Sequence, residues 1–194
     1  MELAATQTLL ARIYTDSRLR TRFYADPVAV GSEFGLSAAT ARSLAAVPET
    51  DIHEFAKAVR RRRLEATGRL LPCSTKCLGP RFGEAFREYV LGHPLPAECH
   101  AWHDAVAFEG FFQSWCQQHP EITPWQREVL RFESERLAFT HRRARLLVRF
   151  CLYPGHRTAR DIAAGRPPKT VWPLPGLRIF WRWKAGGEMH EHLL

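Results

Sequence analysis

RARLLVRFCLY, Arg143–Tyr153, is the stretch on which the reading of the fold turns. Leu146, Val148, Phe150 and Leu152 fall on one side of it, and Arg145, Leu147 and Arg149 on the other. That two-residue period belongs to a strand. LRIFWRWK (Leu177–Lys184) alternates again, setting Leu177, Ile179, Trp181 and Trp183 against Arg178, Phe180, Arg182 and Lys184. AGG then turns the chain into EMHEHLL, which predicts a closing hairpin. In EMHEH, His190 and His192 share one strand face, which fits the surface.

Before residue 143 the apolar period is helical. Leu3, Leu9, Leu10, Ile13 and Tyr14 mark a first helix, and Leu19, Phe23 and Tyr24 a second. Asp26 caps the next with Pro27 at its first position, and Gly35 suits its left-handed end. Ser37 caps a fourth, with Leu44 and Val47 inward and Pro48 as its stop. In TDIHEFAKAVRRRRLEATGRLLP the stripe Ile52, Phe55, Ala56, Val59, Arg63, Ala66, Leu70 is interrupted by an arginine. CSTKCLGP is read as a short turn into RFGEAFREYVLG. Two long helices follow: an aromatic one burying Ala101, Ala105, Phe108, Phe112 and Trp115, and one opened by Thr123 and Pro124. Residues 154–176 read as a proline- and glycine-rich connection with at most one helical turn. The predicted fold is mainly α, an N-terminal helical bundle followed by a small α/β C-terminal part with a short antiparallel sheet. Its boundaries are 1–95 for the helical domain, 96–141 for joining helices and 142–194 for the C-terminal part.

A chain of 194 residues, 45% apolar and 25% charged, has the composition of a globular protein that can bury a core. No apolar run reaches the roughly 18–20 residues of a membrane span, and the first residues lack a basic-then-apolar export pattern. A cytoplasmic location is expected, with no membrane partner. Five scattered cysteines are then expected as free thiols. The net charge of +8 suits nucleic acid, an acidic peptide or an acidic protein.

Four motifs invite chemistry. Arg60 to Arg63 turn by about 100° per residue on a helix, so they fan around it and cannot all grip one phosphate track. Cys73 and Cys77 have no second ligand pair, as a structural zinc site requires. His100, His103 and Asp104 lie close together on a helical wheel, a weak metal candidate whose plainer reading is a solvated helix edge. No nucleotide loop, nucleophile elbow or zinc-protease motif occurs, so no catalytic residue is assigned. The hairpin strand carrying Arg178, Phe180, Trp181, Arg182, Trp183 and Lys184 is the candidate peptide-binding element. Its edge could pair with an extended acidic peptide. The other reading is a packed sheet with its tryptophans buried.

The order of the pieces also carries a resemblance. LRTRFYADPVAVGSEFGLSAATARSLAAVP followed by FAKAVRRRRLEATGRLLPCSTKCLGPRFGEAFREY resembles the N-terminal helical domain of partner proteins of multinuclear non-heme iron oxidative enzymes. Such proteins accompany a TIM-barrel iron enzyme in making methanobactin, 3-thiaglutamate and other ribosomally synthesised, modified peptides. The helical domain also bears an old label as a DNA-binding domain. The likeness covers residues 5–95, and LRIFWRWKAGGEMHEHL resembles the strand-rich C-terminal domain of one subgroup. Arg63, Leu70, Leu71, Pro72, Leu78, Gly79, Phe82, Phe86 and Tyr89 meet the family's framework pattern. The resemblance implies a non-catalytic subunit in a heterodimer with the iron enzyme, recruiting a precursor peptide for cysteine modification. Iron is expected on the partner and no cofactor on this chain. The alternative expectation is a DNA-binding regulatory protein.

Overall fold

The computed structural model describes residues 2–93, 101–142, 144–166, 168, 170–184 and 187–193. Among them the chain forms ten helices and one three-stranded antiparallel sheet near its C-terminal end, mainly α as expected. It divides into two compact units, Met1–Leu64 with Arg87–Cys99 and Glu65–Phe86 with His100–Leu194. These units interleave along the chain, where periodicity predicts three consecutive segments.

The first unit begins with four short helices, α1 (Glu2–Thr15), α2 (Ser17–Ala25), α3 (Pro27–Glu33) and α4 (Ala38–Ala45). Each stop is chemical. The Asp16 carboxylate accepts from the Arg18 and Leu19 amides at 3.0 Å, capping α2. Asp26 does the same for the Ala29 amide of α3, behind Pro27 at its first position. Gly35 ends α3 at φ 77°, a conformation only glycine takes freely. Ser37 caps α4 through the Thr40 amide, and Glu2 ties the Ser37 amide and the Thr40 hydroxyl to α1. A Cβ at Gly31 would stand 2.6 Å from that of Ala41, so α3 and α4 meet through a glycine. Leu9, Ile13, Leu19, Phe23, Val30, Leu36 and Ile52 form the core. Val47, expected inward, is exposed, while its carbonyl accepts from the Tyr24 hydroxyl at 2.8 Å.

Helix α5 (Glu49–Leu70) buries Ile52, Ala56 and Arg63 but leaves Phe55 half-exposed, tilted against Tyr14. Arg63 is the predicted break in the seam. Both of its terminal nitrogens donate to the His93 carbonyl at 3.1 Å, and its guanidinium lies 5.9 Å from the Tyr89 ring centroid. A buried guanidinium is thereby satisfied by a helix-end carbonyl and an aromatic face.

The second unit is built on α9 (Pro124–His141), against which α6 (Pro72–Leu78), α8 (Ala101–Trp115) and α10 (Gly155–Ala163) pack. Its apolar side chains Trp125, Val129, Phe132 and Phe139 meet Cys73, Ala159, Ile162 and Phe180 in one core. A second aromatic seam sets Phe108 of α8 edge-on to Phe82 and Phe86 of α7 (Pro80–Gly92), 5.3 and 5.2 Å away.

Two expectations are corrected here. CSTKCLGP is no turn but the body of α6, closed by Gly79 at φ 55°. Buried Glu133 of α9 accepts from the Cys73 and Ser74 amides at 2.9 and 2.8 Å and from the Ser74 hydroxyl at 2.6 Å. The donors that a helix start leaves unpaired are thus met by a carboxylate some sixty residues away in sequence. The 154–176 connection likewise holds a nine-residue helix, α10, that buries Thr158, Ala159 and Ile162.

Glu133→Ala strips three buried donors of their acceptor and is expected to cost about 3 kcal/mol of unfolding free energy, against about 1 kcal/mol for Ser74→Ala. Urea unfolding of the two variants checks the ranking.

Candidate functional site

The sheet runs β1 (Leu146–Cys151), β2 (Gly176–Trp181), β3 (His190–Leu193), with β2 central and both pairings antiparallel. Register puts Leu146 opposite Trp181, Val148 opposite Ile179 and Phe150 opposite Leu177 on one face. Leu147 with Phe180, and Arg149 with Arg178, fall on the other. The face turned to α9 is the one that carries arginines. Arg178 is 1% exposed, and Phe180 and Arg182 are also buried. The aliphatic face looks outward, with Leu146 61% and Phe150 64% exposed.

The cause lies on α9. Glu128, Phe132, Glu135 and Phe139 follow one another at helical spacing along a single stripe. Arg178 donates to Glu128 at 2.7 Å and to Glu135 at 2.9 Å, with its guanidinium 4.9 Å from the Phe132 ring centroid. Phe180 stacks near Phe132 and Phe139, 6.3 and 5.7 Å away between centroids. Arg182 lies 4.4 Å over the Phe139 ring and donates to the Phe139 carbonyl. At Gly155 a Cβ would come to 3.0 Å from both the Arg178 guanidinium and the Glu128 carbonyl, so a side chain here would push the packing of α10 on α9 apart by a few tenths of an ångström. Arg149 reaches Glu135 at 3.3 Å, and Arg131 approaches Glu128 at 3.8 Å and Glu109 at 3.5 Å, extending the pair into a network.

Of the six side chains expected to bind a peptide, Arg178, Phe180 and Arg182 are therefore spent inside the fold. Trp181 is half-buried against His190, 5.3 Å between ring centroids, while Trp183 and Lys184 are exposed. The signal for the inward arginines was available on α9, as two carboxylates sharing a stripe with two phenylalanines.

A groove of about 510 Å³ opens between α9, α10 and β3. Phe132, Cys73 and Ala159 help line it, and Arg136, Arg157 and Arg160 border it, exposed and without an ion pair among the described residues. His156 also lines it, with Nδ1 buried and unbonded. Burial, and then the positive charge of Arg157, push that imidazole down and keep it neutral. Of the two carboxylates in the groove, Glu133 is engaged with α6, which leaves Glu191 of β3 against three arginines. The balance is cationic. Sequence reading missed these arginines because they come from two helices whose packing no local pattern reveals.

Cys73 and Cys77 lie beside Glu133, not beside a metal-ligand set. Burial first, and then the Glu133 charge, push Cys73 up to about 11 and Cys77 to about 12. Both thiols are held protonated and donate to the Ala159 and Ser74 carbonyls. Of the metal candidates, His100 lies outside the described residues, His103 packs on Trp102, and Asp104 is buried where a solvated edge was expected. Among the described residues no three His, Cys, Asp or Glu side chains gather to hold a metal ion, and no helix is long and apolar enough to cross a membrane. In the arginine run Arg61 and Arg62 are exposed, Arg60 half-buried and Arg63 buried. Comparison with protein-family models and with curated proteins found no match to this chain.

Arg178→Met removes the closest cation from buried Glu128 and partly buried Glu135, leaving them Arg131 at 3.8 Å and Arg149 at 3.3 Å, and is expected to cost about 3 kcal/mol near neutral pH. Burial already holds the Glu135 carboxyl above the usual carboxylate range against the pull of Arg178 and Arg149. Removing Arg178 raises it further. A folded-state value above the unfolded one means that the folded protein binds the proton more tightly. The deficit is thus full above the raised value and shrinks as pH falls through it. Urea unfolding of variant and wild type at about pH 7.5 and about pH 5 checks the sign.

Proposed function

We propose that this chain is a non-catalytic, cytoplasmic partner subunit that binds a TIM-barrel multinuclear iron oxidative enzyme and recruits a ribosomally made precursor peptide for cysteine modification. The observation that carries the reading is an edge strand beside a cationic groove. β3 pairs only with β2 among the described residues, and its Glu191 and His192 line the groove bordered by Arg136, Arg157 and Arg160. An extended peptide laid along that edge gains backbone hydrogen bonds. Every second side chain then points into the groove, where carboxylates meet the three arginines. The cysteine to be modified lies outside the paired segment, at the iron of the partner enzyme. This subunit itself supplies no cofactor and no reacting group.

The acidic specificity assigned in sequence reading to Arg178 and Arg182 thus passes to arginines of α9 and α10. Trp183, exposed past the end of β2, remains available to the peptide. The resemblance of residues 5–95 to partner proteins of iron enzymes supports the same assignment.

Co-expression with a TIM-barrel iron enzyme from the same genome, followed by size-exclusion chromatography, is expected to give one complex at the combined mass. A peptide with glutamates at alternate positions is expected to bind wild type, and Arg157→Glu with Arg160→Glu to weaken it about tenfold or more. Separate elution of the two proteins, with or without peptide, overturns the proposal. Salt-steep, sequence-selective duplex binding in place of that complex favours the DNA-binding alternative.

A further inference from the structure

The sheet's outward face is a second surface, which shares with the peptide groove only His192 of β3. Its rows are Leu146, Trp181 and His190, then Val148, Ile179 and His192, then Phe150 and Leu177. Apart from the two histidines, none of these side chains can ionise. The apolar strip continues past the strands through Leu152 and Leu174, both about half-exposed and joined by the Leu174 amide donating to the Leu152 carbonyl at 2.8 Å. The exposed parts of these side chains amount to roughly 600 Å², at the upper end of what monomers leave uncovered and close to one side of a standard protein interface.

This exposure is not the residue of a poor sheet. The opposite face is packed against α9 at the expense of burying Arg178 and Arg182, although the strand offers Leu177, Ile179 and Trp181 one residue out of phase. A slip by one residue would bury the apolar set and release the arginines. The register instead keeps the apolar set outside, as a surface due to be covered requires.

We infer that this face docks the partner enzyme, an inference that rests on the function proposed above. The occupant is a heterologous protein surface, apolar at its centre and acidic at one border. That border follows from charge. At the end of the sheet where Leu146 and Trp181 lie, Arg142, Arg145 and Lys184 are all exposed, with Glu188 as the nearby carboxylate in the hairpin. A second copy would bring the same apolar centre but the same surplus of cations, and the chain carries a net charge of +8. An acid-bordered partner answers both features. The peptide edge and the enzyme face then occupy different sides of one three-stranded sheet, so both ligands can be held together.

The test uses the full chain and a TIM-barrel iron enzyme from the same genome. Phe150→Arg and Val148→Arg place a charge on the face without touching the core. Each is expected to lower enzyme affinity by about tenfold or more, while thermal unfolding and binding of the alternating-glutamate peptide stay as in wild type. Arg157→Glu with Arg160→Glu is expected to show the converse pattern. Should the face variants fold poorly, Arg145→Glu with Lys184→Glu is expected to weaken the complex, most at low salt. Enzyme affinity within about twofold of wild type in folded face variants overturns the inference and leaves the proposed function standing. So does a wild-type homodimer in sedimentation that Phe150→Arg converts to monomer, which would give the face to a second copy. Wild type that ignores both the enzyme and the peptide removes the proposed function, and this surface with it.

Discussion

Arg178, held between Glu128 and Glu135 beneath the sheet, decides which way the C-terminal part of this protein faces. Strand β2 has two alternating sets of side chains, and on hydrophobicity alone Leu177, Ile179 and Trp181 would be the set to bury. The carboxylates of α9 reverse that choice. Taking one guanidinium and two carboxylates out of water costs several kcal/mol per ion, which mutual attraction and good geometry roughly offset. The pair is therefore weak as a source of net stability and strong as a selector. Any register that moves Arg178 out takes the closest cation from buried Glu128 and partly buried Glu135, a worse state. Gly155, which clears the space for the guanidinium, and Phe132, which lies beneath it, belong to the same device.

Much of the helical half was legible because its signals are local. Asp16, Asp26 and Ser37 do their capping within three residues of themselves, and Gly35 does its work at its own φ. The strands were legible for the same reason, since a period of two needs only neighbours. What failed was whatever depended on distant partners. PCSTKCL has few strong helix formers and reads as a turn until Glu133 arrives from α9 to cap it. The helix α10 is clearly two-sided but only nine residues long, with Ile162 the one large apolar side chain it buries, so it passes for loop between flanking prolines and glycines. The polarity of the sheet failed for the deepest reason. Alternation tells which residues share a face, while only the acids of another element tell which face is inside.

A third acid of α9 quiets the cysteines. Glu133 is needed as a cap, and its charge, together with burial, keeps Cys73 and Cys77 as neutral thiols that donate to backbone carbonyls. A thiolate beside that carboxylate would add a second negative charge to a site whose nearby cations, Lys76 and Arg136, only partly counter it. The spacing that suggests metal or redox chemistry in the sequence is thus a packing feature, and the pair supports the joint between α6 and α9.

A small sheet with open edges and an apolar face needs protection from others like it. Charge supplies some of it. On β1, Arg149 pairs with Glu135 on the side of α9 while its side chain remains 60% exposed. On the other side, Arg136, Arg157 and Arg160 border the groove that Glu191 and His192 of β3 line. A segment of this chain rich in arginine is repelled there, whereas an acidic segment is drawn in at range and then paired by backbone. On the function proposed above, the cations that discourage self-pairing would also be the ones that select the peptide. Selection of that kind would rest on side chains of α9 and α10 and not on the strand itself, so a β3 of four residues would suffice for it.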